Sequence, residues 1–452
     1  MKRLARDLQI KGIEILRKEK VEGMSEERFD VIVVGGGLAG TAAAYRLAKA
    51  GLSCCLIERG QSCGSKNMTG GRLYGHSLEK LMPGFAERAP IERKITKERI
   101  SMATRRGAMT LDYTSKKLGL ESCASYTVLR SKFDKWMADE AEKAGAMIIT
   151  GVRVDDLVVK GGKVIGVKSG DEEAYADVVI LADGVNSLLA QKLGMKKELL
   201  PSQVAVGAKE VIKLDTKTVS DRFGVTDDEG AGWLFDGDCT GGSIGGGFLY
   251  TNKDSVSIGV VATVSDIERS GLTVVEMVDR LKEHPVVKPL IAGGKLIEYS
   301  AHLVPEAGYR MVPELVGDGV LVTGDAAGFV MNLGFMVRGM DFAIESGRLA
   351  AETVLRAKKK RDFSAESLSI YKKALDRNFI MRDLKHYRRF PQVMEIRRLF
   401  REYPAMIDEV LDNLFRVDGR PPENIAKMAM RAANRVGVFH IAEDFWKAVR
   451  AL

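Results

Sequence analysis

The chain has 452 residues, 45% of them hydrophobic and 29% charged, with a formal net charge of +8. That length is too great for one small core, so two or three domains are expected, and the composition is that of a globular enzyme. A moderate positive charge spread along the chain argues against nucleic acid as the main partner and leaves an anionic membrane surface or an acidic protein open.

Residues 1–24 set Leu4, Leu8, Ile15 and Leu16 among many Lys and Arg. This reads either as a basic amphipathic helix or as a loosely docked extension, and it lacks the apolar run and cleavage site of a signal peptide. The run Asp30-Val-Ile-Val-Val-Gly-Gly-Gly-Leu-Ala-Gly40 then predicts a buried strand, a tight turn and a helix over 38–50. A second strand over 52–57 ends at Glu58. Strand, glycines, helix, strand and terminal acid in that order form a dinucleotide-binding fingerprint. Gly35 takes the turn, Gly37 lets the main chain approach a pyrophosphate, and Gly40 lets helix and strand pack closely. Glu58 is placed to accept from a ribose hydroxyl.

After Arg130 a helix carries Phe133, Trp136, Met137, Ala141 and Ala144 on one face, and strands follow over 147–149 and 152–159. Residues 178–182 read as a buried strand ending in Asp183-Gly184. Alternation and glycine-rich turns over 201–299 predict an antiparallel sheet, with the glycines of 241–247 as its turns. Residues 319–323 return to a buried strand ending at Gly324-Asp325, and 335–357 reads as a helix. Beyond Lys358 the chain is helical and basic, with breaks at Pro391, Pro404 and Pro421-Pro422. The apolar window 319–337 would bury Asp325 at mid-membrane and is rejected as a span.

A nicotinamide dehydrogenase would have finished with its cofactor in the first half of such a sheet, yet Gly324-Asp325 lies almost three hundred residues later. There a carboxylate can hold the ribityl hydroxyls of a flavin, while the following helix aims its N-terminal amides at the N1/O2 edge of the ring. No second fingerprint follows a strand, so no separate nicotinamide domain is expected beside the FAD, and electrons reach the flavin from a bound substrate, transiently bound NAD(P)H or a protein. The expected fold is α/β: a Rossmann-type (GR2-like) FAD-binding domain from 25–75, 126–200 and 300–357, and an antiparallel-sheet substrate domain from 76–125 and 201–299. A helical region over 358–452 is assigned to membrane or partner contact. Five cysteines, Cys54, Cys55, Cys63, Cys123 and Cys239, show neither C-x-x-C nor zinc or cluster spacing. The chain is therefore expected to hold no iron–sulfur centre of its own, and their usage fits a reducing cytosol. No nucleophile, metal site or acid–base pair stands out, and the five histidines are scattered.

The runs 64–72, 126–130 with Asp134, 182–187 and 294–305 through 324–328 resemble the electron-transfer-flavoprotein:quinone oxidoreductase family, in its FixC branch, within the geranylgeranyl-reductase-like FAD superfamily. The resemblance runs from about residue 25 to the end. It implies a FAD enzyme that takes electrons originating in an electron-transfer flavoprotein and passes them to a membrane quinone. It implies pyrophosphate binding by Gly35, Gly37 and Gly40, with Glu58, Arg59, Arg130 and Val154 on the adenosine side. Asp183, Gly184, Gly324 and Asp325 then hold the middle of the cofactor, and Lys66, Thr69, Gly70, Arg72, Gly334 and Phe335 lie toward the ring. Fused members end in a ferredoxin-like region with cluster cysteines, whereas this chain has none after Cys239. In the FixC branch a small ferredoxin-like subunit, FixX, does that work beside the flavoprotein subunits FixA and FixB, at the inner face of the cell membrane. Phe248, Tyr250, Met331, Phe335 and Met336 are candidates for an apolar quinone pocket, or for ordinary core. The basic and aromatic stretch 379–390 suits a headgroup surface, a solvated face or a partner. A prenyl reductase on the same scaffold is the rival reading. An aromatic hydroxylase is disfavoured because Leu189-Ala190 replaces the arginine expected after its Asp-Gly motif.

Overall fold

The computed structural model describes residues 28–65, 71–306, 308–421 and 423–452. The expectations for residues 1–24 and for Lys66, Thr69 and Gly70 lie outside them.

The chain begins β1 (Arg28–Val34), α1 (Leu38–Ala48), β2 (Cys54–Glu58) and β3 (Arg72–Tyr74). It continues through β4 (Ile91–Ala103), β5 (Ala108–Thr114), β6 (Ser125–Val128), α2 (Arg130–Lys143) and β7 (Met147–Thr150). A hairpin, β8 (Asp156–Lys160) and β9 (Lys163–Ser169), leads into β10 (Glu172–Leu181). Then come β11 (Val204–Lys213), β12 (Glu229–Gly237), β13 (Gly245–Thr251), β14 (Ser255–Thr263), α3 (Val274–Glu283) and β15 (Lys295–Pro305). The short strands β16 (Val316–Gly317), β17 (Val320–Val322), β18 (Met331–Asn332) and β19 (Val337–Arg338) precede the long helix α4 (Met340–Lys360).

The first sheet has the order β16-β17-β10-β1-β2-β7, with β9 and β8 off β10. β1 runs parallel to both β2 and β10, and β17 parallel to β10. Val31, Ile32 and Val33 are fully buried, in a core to which α1 and α4 also contribute. Those helices meet closely: a Cβ at Gly347 of α4 would stand 2.1 Å from the Ala39 carbonyl oxygen of α1. The three pieces expected of the nucleotide domain, ending near Gly35, Asp183 and Gly324, thus become adjacent strands.

The second sheet has the order β15-β11-β14-β13-β12-β4-β6-β3, with β5 on β4. Its pairs are antiparallel except β12 with β4, which are parallel. That pair departs from a wholly antiparallel sheet because more than a hundred residues separate the two strands, and such a connection can enter from either end. One face packs on α3 through a core containing Trp233, Phe235, Leu249, Ile258 and Leu281.

Two further expectations are corrected. The strand expected over 152–159 starts only at Asp156: before it the chain makes isolated backbone bonds, Val152 to the Glu58 carbonyl at 3.1 Å and Asp155 to that of Lys168 at 2.8 Å, and no continuous ladder. The helix expected from Phe335 starts at Met340. Asn332 accepts a hydrogen bond from the Gly334 amide at 2.9 Å, Gly334 sits at φ +71°, and β18 and β19 pair across the turn, so the chain doubles back before the helix begins. At the C-terminus Pro391 opens one helix and Pro404 lies in the first turn of another, so each marks a helix boundary where a break was expected. Helices α5 (Glu402–Phe415), α6 (Ile425–Val436) and α7 (Val438–Ala451) end the chain. Among the described residues no helix is long and apolar enough to cross a membrane.

Candidate functional site

A cleft runs along the seam between the first sheet and the free face of the second. It encloses about 1550 Å³ of empty space, its open mouth included.

At one end stands the glycine turn. Gly35 has φ +106°, and a Cβ there would lie 2.2 Å from the Ala182 carbonyl oxygen, while one at Gly40 would lie 2.0 Å from that of Gly35. Backbone cannot yield at such distances, so both positions require glycine. Gly37 caps α1, and Gly37, Leu38 and Ala39 present its first turn to the cleft. Glu58 is buried at the end of β2, where it accepts from the Gly36 amide at 2.7 Å and the Gly60 amide at 2.6 Å, holding the turn in shape. Arg59 is exposed and Val154 half-buried, and neither lines the cleft.

The middle is charged. Arg130 opens α2 and donates twice to Asp134, from Nε and Nη2, both at 2.7 Å and buried. Asp325 faces the cleft beside Gly324 (φ +64°); burial raises its carboxyl, and Arg130 and Lys196 oppose the rise. Lys196, missed in the sequence, donates to the Val185 and Ala326 carbonyls at 2.9 and 3.1 Å. Gly184 lines the cleft with nothing within 4 Å of a notional Cβ. Asp183 keeps one buried oxygen, Oδ1, without a partner among the described residues.

Toward the other end Arg72 is held by Glu98 and, at 3.1 Å, by Ser125, with its guanidinium over the Tyr74 ring. Gly334 reaches the cleft but Phe335 does not: its half-exposed ring packs on Phe390 instead. The start of α4 lines the cleft as expected, displaced to Gly339 and Met340 by the hairpin before it. Phe248 and Tyr250 form an aromatic wall, their rings 5.5 Å apart. Met331 and Met336 do not line it; Leu234, Val304 and Met394 supply the apolar surface.

The cleft face of the second sheet follows from its register. His302 pairs with Gly207, Gly207 with Val261 and Val261 with Gly246, and the carboxyl of Asp236 on β12 lies beside Gly246. These four interstrand steps span about 19 Å. Small residues in the centre keep the floor low, with a titratable group at each end. Burial, then Arg130 and Arg59, lowers the His302 pKa; burial alone lifts that of Asp236 to about 7. Glu306 also lines the cleft, raised by burial and held by Thr263 Oγ1 at 3.1 Å. The sequence signal for Asp236 was the alternation Gly232, Leu234, Asp236 against Trp233 and Phe235 on β12.

The stretch 379–390 turns its apolar side inward: Ile380, Met381, Leu384 and Phe390 are buried, and Phe379 packs on His76 and Phe342. Arg382, His386, Arg388 and Arg389 face out, leaving a basic surface that suits a headgroup surface, solvent or a partner alike. Exposed aromatics lie further on, at Phe415, Phe439, Phe445 and Trp446.

These residues fit a flavin dinucleotide. A helix N-terminus and glycine turn await a pyrophosphate, Gly184 leaves an open cradle, and Asp183 and Asp325 offer acceptors. The family described as FAD dependent oxidoreductase matches residues 30–191, that of ETF-QO, ubiquinone-binding matches 204–304, and the ETF-QO/FixC family C-terminal domain matches 390–452. The probable electron transfer flavoprotein-quinone oxidoreductase YdiS of Escherichia coli K12 is 52% identical over 429 residues, 95% of this chain and all of that one. Protein FixC of Azorhizobium caulinodans is 40% identical over 90% of this chain and 95% of its own. Among solved structures, a geranylgeranyl bacteriochlorophyll reductase-like protein from Thermoplasma acidophilum superposes with a TM-score of 0.67 at 22% identity, covering 90% of this chain and 96% of that one. A triple mutant of the flavin-dependent brominase Bmp2 does so with 0.62 at 17%, covering 91% and 100%. At those identities the likeness shows the fold alone. The chain belongs to the electron-transfer flavoprotein–quinone oxidoreductase/FixC family and is a FAD-dependent oxidoreductase.

Proposed function

We propose that this chain passes electrons originating in an electron-transfer flavoprotein, by way of a separate ferredoxin-like iron–sulfur subunit, to a membrane quinone, within a FixABCX-type complex on the inner face of the cell membrane. The observation that carries the reading is that one cleft holds both the pyrophosphate turn and, in the region matched as ubiquinone-binding, the Phe248–Tyr250 wall. The sequence holds no cysteine after Cys239, so the matched C-terminal segment 390–452 has no thiolate for a cluster. That supports a cluster carried by another subunit.

When bound, the flavin takes electrons singly from an iron–sulfur centre and gives them up in pairs. The chain's own groups do the rest. Amides at the start of α1 bind the pyrophosphate, and Glu58, whose oxygens keep further lone pairs, accepts from the adenosine ribose. Asp325 accepts from the ribityl hydroxyls, with its charge balanced by Arg130 and Lys196. Gly339 and Met340 bring the α4 amides to the polar edge of the ring. Phe248 and Tyr250 exclude water from the space where an apolar ring docks. The exposed C-terminal helices, with Phe439 91% exposed and Phe415 77%, serve contact with partner subunits or the bilayer surface.

The test is to assemble the chain with electron-transfer-flavoprotein and ferredoxin-like subunits and follow NADH-dependent quinone reduction. Saturation of prenyl double bonds in place of quinone reduction overturns the reading in favour of a prenyl reductase.

A further inference from the structure

We propose that Asp236 is the proton donor to the quinone, a role that rests on the quinone reading above. Asp236 lies on the cleft side of β12, in the same alternation as Leu234, while Trp233 and Phe235 point into the opposite core. Its Oδ1 lies 3.4 Å from where a Cβ on Gly246 would stand. Leu234 pairs across the strands with Phe248, so the carboxyl is one step along the floor from the aromatic wall. Among the described residues it has no hydrogen-bond or ion-pair partner, unlike the other acids of the cleft, Glu306 and Asp325, which face Thr263 or the Arg130 and Lys196 charges.

Charges on the packed elements are committed elsewhere. Arg397 pairs with Asp266, Arg398 with Asp444, and Arg401 donates to the Gly242 carbonyl. Arg280 of α3 holds Asp238, and Arg99 of β4 holds Asp112. Cys239 is buried behind the strand, its thiol pushed up to about 12. No cation therefore holds Asp236 ionised, and desolvation keeps the acid form up to a pH of about 7.

Reduction of a quinone to the quinol consumes two electrons and two protons. A bound reduced flavin would supply both electrons together with the proton on its N5. The O–H bond of the Asp236 acid breaks as an O–H forms on one quinone oxygen, the flavin proton, relayed by water at the cleft mouth, goes to the other, and the carboxylate takes one proton back from solvent, so that one quinone, one anionic reduced flavin and one solvent proton give quinol and oxidised flavin.

The test uses FAD-loaded protein, reduced chemically and mixed with a short-chain ubiquinone or with ferricyanide, a one-electron acceptor that needs no proton. Asp236→Asn is expected to lower the quinone-to-ferricyanide rate ratio about 100-fold, the lower range for a positioned general acid. The wild-type quinone rate should fall as pH rises through about 7, and that limb should vanish in the Asn variant and return in Asp236→Glu. Independently of turnover, infrared spectra of the FAD-loaded protein across pH 5–9 should show a carboxylic-acid band that titrates in wild type and is missing from Asp236→Asn. A band unchanged in the variant, or a rate ratio and pH limb unchanged, overturns the proposal. If wild type reduces ferricyanide but no quinone, the quinone reading itself falls, and the proposal with it; the wild-type measurement alone tells that case apart.

Discussion

Asp236→Asn should change stability in a way that depends on pH and has a determined sign. The Asp236 carboxyl rises from 3.8 to about 7 because burial disfavours its charge. Between those values the folded protein keeps a proton that the unfolded chain has lost, so wild-type stability declines as pH rises and the whole penalty is present above pH 7. A rise from 3.8 to about 7, at about 1.36 kcal/mol per pH unit, gives at most about 4 kcal/mol. Asparagine has nearly the same shape and no charge to desolvate. The two proteins should therefore match below pH 4, and the variant should gain over wild type up to about pH 7 and hold that lead above it. Urea unfolding at saturating FAD, repeated from pH 4 to 9, reads the difference directly. A gap that stays constant with pH, or a wild type that gains on the variant as pH rises, refutes the assignment of an unpaired, desolvated acid.

Gly40→Val puts a side chain against the Gly35 carbonyl, where even a Cβ stands 2.0 Å away, and should yield protein without flavin absorbance; a fully yellow variant would contradict the packing of the turn. Asp134→Leu leaves Arg130 buried without its main counter-charge and should cost about 3–5 kcal/mol, whereas Arg130→Met with Asp134→Leu should recover most of it, as read by urea unfolding of the two FAD-free proteins. Of the five cysteines only Cys123 is exposed, and burial pushes the Cys63 and Cys239 thiols up to about 12. A thiol reagent should therefore titrate one group in native protein and five in denaturant.

What could be read from the sequence were positions where a local backbone demand selects one residue type. Gly35 and Gly40 are legible because no other residue fits so close to a carbonyl, and the Asp-Gly and Gly-Asp strand ends because buried parallel strands are runs of Val, Ile and Leu. The hairpin at 331–338 was not legible, because its two-residue strands leave too short a pattern to set against the helix that follows. Arg93 was equally hidden. It is fully buried, donating to the Asn252, Thr226, Glu229, Thr216 and Lys253 carbonyls and to Ser220, yet in the sequence it is one more cation in a stretch rich in them.

The floor of the cleft shows why the acid was missed when the aromatic wall was found. Phe248 and Tyr250 stand two apart on one strand, so a single segment reveals that they share a face. Asp236 and Gly246 meet only through the pairing of β12 with β13, and His302 enters through β15 and β11, so their alignment belongs to strand order and register. The same register explains the glycines of 245–247, which the sequence assigns to turns. A Cβ on Gly246 would stand 2.7 Å from the Phe235 carbonyl oxygen, and one on Gly245 would stand 2.1 Å from that of Val261. Two of these three glycines are therefore required by neighbouring strands, and the bare backbone they leave is the surface over which the Asp236 carboxyl reaches the cleft.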